Sequence, residues 1–156
     1  MLSEKLLEEA LNLSIKAGGA GARVLLLALE SSDDELHIKS KEDGSLVSDA
    51  DYASDKIITE ILSPLGIPIL SEEAIIPSFE DRKDWPYYFL IDPLDGTESF
   101  LKNRYGFTVN IALCDATGPI IGVVADPLSN IIYAGAIGKG FSIYQLDGIC
   151  IKSIHS

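Results

Sequence analysis

The sequence predicts an α+β fold in which two N-terminal helices pack on a mainly antiparallel sheet. Three observations predict it. Apolar residues recur at helical spacing in two stretches before residue 63. Short β-branched runs separated by turn residues fill the chain after residue 66. With 156 residues, 47% of them apolar, one domain can bury a real core. Helices followed by strands make an α+β layer arrangement.

Residues 2 to 30 read as a helix. Leu6, Leu7, Ala10, Leu11 and Ile15 lie near a 3.6-residue period, and Ser3 is placed to cap the start. Gly18, Gly19 and Gly21 weaken its middle, which predicts either a close packing contact or a break. Residues 36 to 48 read as a hairpin turning at Glu42-Asp43-Gly44-Ser45. A second helix is expected from Asp49 to Leu62, capped by Asp49, with Ile57, Ile58 and Ile61 on its buried face. Pro64 and Gly66 end it.

The first expected strands are Ile67 to Leu70 and Tyr87 to Ile91. The second is apolar throughout, as in a strand buried on both faces. Between them, Ala74 to Trp85 reads as a polar loop. Phe107 to Leu113, Ile120 to Ala125, Ile131 to Ala136 and Phe141 to Tyr144 should follow as an antiparallel meander. Its turns fall at Asp115-Ala116-Thr117-Gly118, Asp126-Pro127 and Gly138-Lys139-Gly140. Asp126 is thus expected to serve a turn.

The formal net charge is −12. Such a surface repels nucleic acid and anionic lipid, and it suits cations. The longest apolar run, Val24 to Leu29, is too short to span a bilayer. With no signal peptide at the start, a cytoplasmic protein is expected, and peripheral association with a membrane stays open. Cys114 and Cys150 read as reduced core residues, and His37 and His155 as surface residues.

Chemistry concentrates in "LIDPLDGTESF", residues 90 to 100. Asp92 and Asp95 flank Pro93, whose fixed backbone turns the chain so that both carboxylates face one point. The Leu94 carbonyl can join them. Gly96 allows close approach to a ligand, and Thr97 begins a short helical turn whose free N–H groups favour phosphate. Glu72-Glu73 follows another strand, and Asp49 and Asp51 open the second helix. Carboxylates and carbonyls are hard oxygen ligands suited to Mg²⁺ or Mn²⁺. A lone Asp-x-x-Asp is most often a turn or cap, and a lone Glu-Glu a solvated pair. The whole string after an apolar strand, with Glu-Glu upstream, points to metal beside phosphate and so to phosphoryl hydrolysis.

In these motifs the chain resembles the inositol monophosphatase superfamily of Mg²⁺-dependent phosphatases. The matching stretches are Lys41-Glu42-Asp43-Gly44-Ser45-Leu46-Val47-Ser48-Asp49-Ala50-Asp51, Leu70-Ser71-Glu72-Glu73 and Asp92 to Phe100. Within the superfamily, "LSEE", "DPLDGT" and Phe107 to Leu113 look most like the 3′(2′),5′-bisphosphate nucleotidases of the CysQ type. Ser48 stands where Thr is usual, and Glu98 where Lys is frequent.

The resemblance implies the N-terminal α/β layer of an αβαβα sandwich whose second half is absent from this chain. It implies two or three Mg²⁺ ions, with Mn²⁺ an alternative. Glu72, Asp92 and the Leu94 carbonyl would hold one ion; Asp92 and Asp95 would share another. Asp51, Thr97 and Glu72 would be catalytic, with Asp51 bonded to Thr97 and helping to deprotonate the attacking water. Asp95, Gly96 and Thr97 would bind the substrate. The implied reaction is hydrolysis of 3′-phosphoadenosine 5′-phosphate to AMP and phosphate, in sulfur assimilation. An inositol or sugar phosphatase and a non-catalytic metal-binding remnant are the alternatives. The second half normally carries a Trp-Asp metal motif, and the only tryptophan here is Trp85. The expected partners are a small phosphorylated substrate and either a second copy of the chain or the missing half.

Overall fold

The computed structural model describes residues 2–31, 36–42 and 46–154. Helix α1 runs from Glu4 to Ala28, and the Ser3 hydroxyl accepts the Leu6 N–H at its start. Its glycine-rich middle does not break. A side chain at Gly19 would place its Cβ 2.2 Å from the Leu146 carbonyl oxygen, so glycine is what lets the helix lie against the sheet.

Two short strands, β1 (Lys39–Ser40) and β2 (Leu46–Val47), pair antiparallel as the expected hairpin. Its turn at residues 43–45 lies outside the described residues, as does His155. Helix α2 spans Asp49–Leu62 and buries Ile58 and Leu62, with Ile57 and Ile61 packed partly against the core. Its N-cap is Ser48 rather than Asp49. Asp49 is the first helical residue, and its exposed carboxylate pairs with His37. A 3₁₀ turn, Ser63–Leu65, and the left-handed Gly66 close the helix.

A seven-stranded sheet follows, in sequential order. Strand β3 (Ile69–Ser71) begins two residues later than expected and pairs parallel with β4 (Tyr88–Asp95). The intervening segment contains a one-turn helix, α3 (Phe79–Arg82), where only loop was expected; the Ser78 hydroxyl caps it. After β4 comes α4 (Thr97–Asn103). Strands β5 (Thr108–Asp115), β6 (Gly118–Asp126), β7 (Ile131–Ala136) and β8 (Gly140–Gln145) form the antiparallel meander. A further strand, β9 (Cys150–Ile154), continues it beyond what the apolar pattern suggested.

One face of the sheet packs under α1 and α2. Phe89, Ile91, Val109, Ile111, Val123 and Ile132 point into that core. The other face is open, which corrects the expectation that β4 is buried on both sides. Leu90 is 50% exposed between the buried Phe89 and Ile91. Strand alternation sends successive side chains to opposite faces, and among the described residues nothing covers the second one. Val124, Tyr133 and Phe141 lie open on the same side. Of the two cysteines, which are both free, Cys114 is buried as expected and Cys150 is exposed on the edge strand.

Candidate metal and phosphate site

The site forms where β3 and β4 end and α2 and α4 begin. The register of β4 on β5 pairs Asp92 with Asn110 and Asp95 with Thr108, with a bulge between the two aspartates. Pro93 lies within that bulge and needs no ladder bond there. Gly96 follows with φ 89°, and a Cβ there would sit 2.6 Å from the Gly106 carbonyl oxygen. Only glycine fits, so the sharp exit into α4 is written into the sequence.

Asp51 is fully buried at the start of α2. Its Oδ2 accepts the Ser48 N–H and the Ser48 hydroxyl, each at 2.8 Å. Its Oδ1 lies 3.0 Å from the Thr97 hydroxyl, which also reaches the Leu94 carbonyl at 3.1 Å. The Ser48 hydroxyl, which stands on Cβ as a threonine's would, thus reaches the carboxylate without the extra methyl.

Asp92 lies beside Glu72, and its Oδ1 accepts the Leu94 N–H at 3.2 Å. Burial, reinforced by the charges of Glu72 and Asp95, pushes Asp92 up to about 7. Asp95 is exposed and accepts from Asn110 Nδ2 at 3.1 Å. Among the described residues no three such side chains stand together as a ready cage for a metal. The donor set nevertheless fits a hard divalent cation. It is made only of oxygens, and Asp92 is held near two like charges that a cation would neutralise.

Two contributors were not singled out from the sequence. Lys41 Nζ bonds Glu73 Oε1 at 2.8 Å and Glu72 Oε1 at 3.3 Å. Burial works to lower Lys41, yet the two glutamates overcome it and hold the ammonium above its usual range. Burial pushes Glu73 up, because Lys41 only partly offsets the lost hydration and the nearby charges of Asp51 and Glu72. Asn110 is the other. Both lie inside stretches that carry the family resemblance, so the signal was present without a role attached. Asp126 bonds Ser129 in a turn away from the site, as expected.

A profile of the inositol monophosphatase family matches residues 6–153. The chain belongs to this family. A curated relative, the 3′(2′),5′-bisphosphate nucleotidase CysQ of Shigella flexneri, is 40% identical over 138 residues, covering 87% of this chain and 54% of its own length. The crystal structure of CysQ from Bacteroides thetaiotaomicron, a bacterial member of the family, superposes with a TM-score of 0.74 at 28% identity. That match covers 92% of this chain and 52% of that one. An IMPase/NADP phosphatase crystallised with Mg²⁺ and phosphate has the same fold, with a TM-score of 0.66 at 18% identity, covering 78% of this chain and 45% of that one. The chain thus spans about half the length of the family members it matches. No described helix is long and apolar enough to cross a membrane.

Proposed function

We propose that this chain is the N-terminal, metal- and phosphate-binding part of a Mg²⁺-dependent phosphomonoesterase acting on 3′-phosphoadenosine 5′-phosphate. The observation that carries this reading is the convergence of Glu72 and Asp92 beside Asp95, where burial, reinforced by the two neighbouring charges, pushes Asp92 up to about 7. Carboxyls perturbed by burial and by like charges cluster at functional sites, and a bound cation would relieve both costs here. The substrate follows from the similarity to CysQ nucleotidases. A partner segment of roughly the remaining length of the relatives would supply the leaving-group pocket.

Glu72, Asp92, Asp95 and the Leu94 carbonyl would hold the cations, which when bound stabilise charge on the attacking and leaving oxygens. The chain's own residues handle the proton. Asp51 has one oxygen engaged by two donors from Ser48, which leaves Oδ1 as the acceptor facing Thr97. A Thr97 hydroxyl that donates to Asp51 turns its lone pairs outward, where they can accept a proton from the attacking water. The Thr97 proton would then pass to Asp51 as the water oxygen bonds phosphorus and the bond from phosphorus to the 3′-oxygen breaks, the departing oxygen taking a proton from solvent water. Backbone N–H groups at Gly96 and Thr97 would hold the phosphate oxygens.

The test is a substrate panel on the chain joined to its second half. Phosphate release from 3′-phosphoadenosine 5′-phosphate should exceed that from inositol 1-phosphate. The reverse preference would overturn the nucleotide assignment.

A further inference from the structure

Three side chains on one face of α2 reach three separate segments of the candidate site. Asp51, Ser54 and Asp55 stand at i, i+3 and i+4, the spacing that aligns side chains on a helix. Asp51 holds the Thr97 hydroxyl at the start of α4. The buried Ser54 hydroxyl donates to the Pro93 carbonyl at 2.7 Å, inside the bulge between Asp92 and Asp95. Asp55 accepts the Ser71 hydroxyl at the end of β3, and the Ser71 oxygen in turn accepts the Glu73 N–H at 3.2 Å. Neither Ser54 nor Asp55 belongs to the expected metal-ligand or substrate-binding set.

We propose that Ser54 and Asp55 are positioning residues. Ser54 fixes the rotation of the Asp92–Asp95 bend through the Pro93 carbonyl. Asp55 fixes the backbone from which Glu72 projects, through Ser71. One rigid helix face thereby sets the carboxylates of β3 and β4 in a common frame with Asp51. Partners of this kind, one step removed from a metal, orient the ligands, and their loss typically weakens metal binding about 10–100-fold. The geometry matters here because the ligands come from two strand ends whose last direct backbone bond is made by Glu72 itself. Glu72 N–H is held by the Ile91 carbonyl, one residue short of Asp92. The proposal rests on the reading that Glu72, Asp92 and Asp95 bind a divalent cation.

Mn²⁺ alone, titrated into the 156-residue chain and followed by electron paramagnetic resonance, tests it. Ser54→Ala and Ser71→Ala each remove one oxygen and should weaken Mn²⁺ binding about tenfold or more. Asp55→Ala should match Ser71→Ala, and the two together should lose no more than either alone, because they break one linkage. Asp55→Asn keeps an acceptor for the Ser71 hydroxyl and should recover most of the affinity. Ser14→Ala is the control. That buried hydroxyl bonds the Ala10 carbonyl within α1, so its loss should lower the melting temperature and leave Mn²⁺ affinity unchanged. Folded Ser54→Ala and Ser71→Ala chains with unchanged Mn²⁺ affinity would overturn the positioning role alone. Failure of the unaltered chain to bind Mn²⁺ would overturn the metal reading and the positioning role with it.

Discussion

The Thr97 hydroxyl lies 3.0 Å from Asp51 Oδ1 and 3.1 Å from the Leu94 carbonyl, and it has one proton to give. A cation drawing on the Leu94 carbonyl would compete for that acceptor and leave Asp51 as the partner. Thr97→Val should therefore remove the proton route with little loss of fold, since Asp51 keeps both donors from Ser48. In the completed enzyme, phosphate release should fall about 10²–10⁴-fold. The melt should register a cost of about 1 kcal/mol.

The carboxylate cluster gives the metal-free chain a stability that depends on pH. The ordinary aspartate value is 3.8, and Asp92 is pushed up to about 7 in the folded state. The folded chain thus binds this proton more tightly than the unfolded one. Stability is highest below about pH 4 for this group and is lost as pH rises through 7. Burial of Glu73 acts in the same direction. Millimolar Mg²⁺ should raise the melting temperature at pH 7, because it binds the native arrangement. Asp95→Asn should abolish that rise and leave the metal-free chain as stable as before, or more so. Thermal melts of both chains between pH 5 and 8, with and without Mg²⁺, check all three outcomes. A flat pH profile with no Mg²⁺ effect would remove the cluster's claim to function.

Lys41→Gln should destabilise the chain by about 2 kcal/mol, the loss of charged hydrogen bonds to a buried acceptor. The Glu73 side chain is 3% exposed and would keep its burial without its cation. Lys41→Gln together with Glu73→Gln should recover part of the loss. Urea unfolding of the three variants measures the coupling.

The open sheet face should make the isolated chain bind a hydrophobic dye or self-associate. Leu90, Val124, Tyr133 and Phe141 lie on one side of neighbouring strands, and Tyr133 stacks on Phe141 at 6.2 Å. Apolar side chains left open side by side on a sheet face mark an interface when they form a contiguous patch. Val124→Lys with Tyr133→Lys should reduce dye binding and association in light scattering. Stability should fall by about 1 kcal/mol, because the two lysines stand directly opposite each other on β6 and β7 and the stack of Tyr133 on Phe141 is lost.

The order of elements was legible because each depends on near neighbours. Helical spacing located α1 and α2, Ser3 capped the first, and turn residues located the meander. Asp92-Pro93-Leu94-Asp95-Gly96-Thr97 announced the bend, since Pro93 and Gly96 restrict the backbone by themselves. Besides leaving out α3 and β9, local rules misread three places. Tyr87 to Ile91 looked doubly buried because apolar composition does not say whether a second layer is present. Asp49 looked like the cap because Ser48 and Asp49 are both good caps, and Asp51 decides between them by gripping Ser48. Cys150 looked like core because the strand pattern does not reveal an edge.

By itself the sequence determined which residues could carry hard-oxygen chemistry and which strand ends would bear them. Tertiary structure decided what each of them touches. Lys41 meets Glu72 and Glu73 across 31 and 32 residues of chain, Thr97 meets Asp51 across 46, and Ser54 meets Pro93 across 39. Such contacts follow from the packing of α2 against β4, which no local period encodes. The raised Asp92 belongs to the same class, because a carboxyl's proton affinity is set by burial and neighbouring charge, and both exist only once the chain has folded.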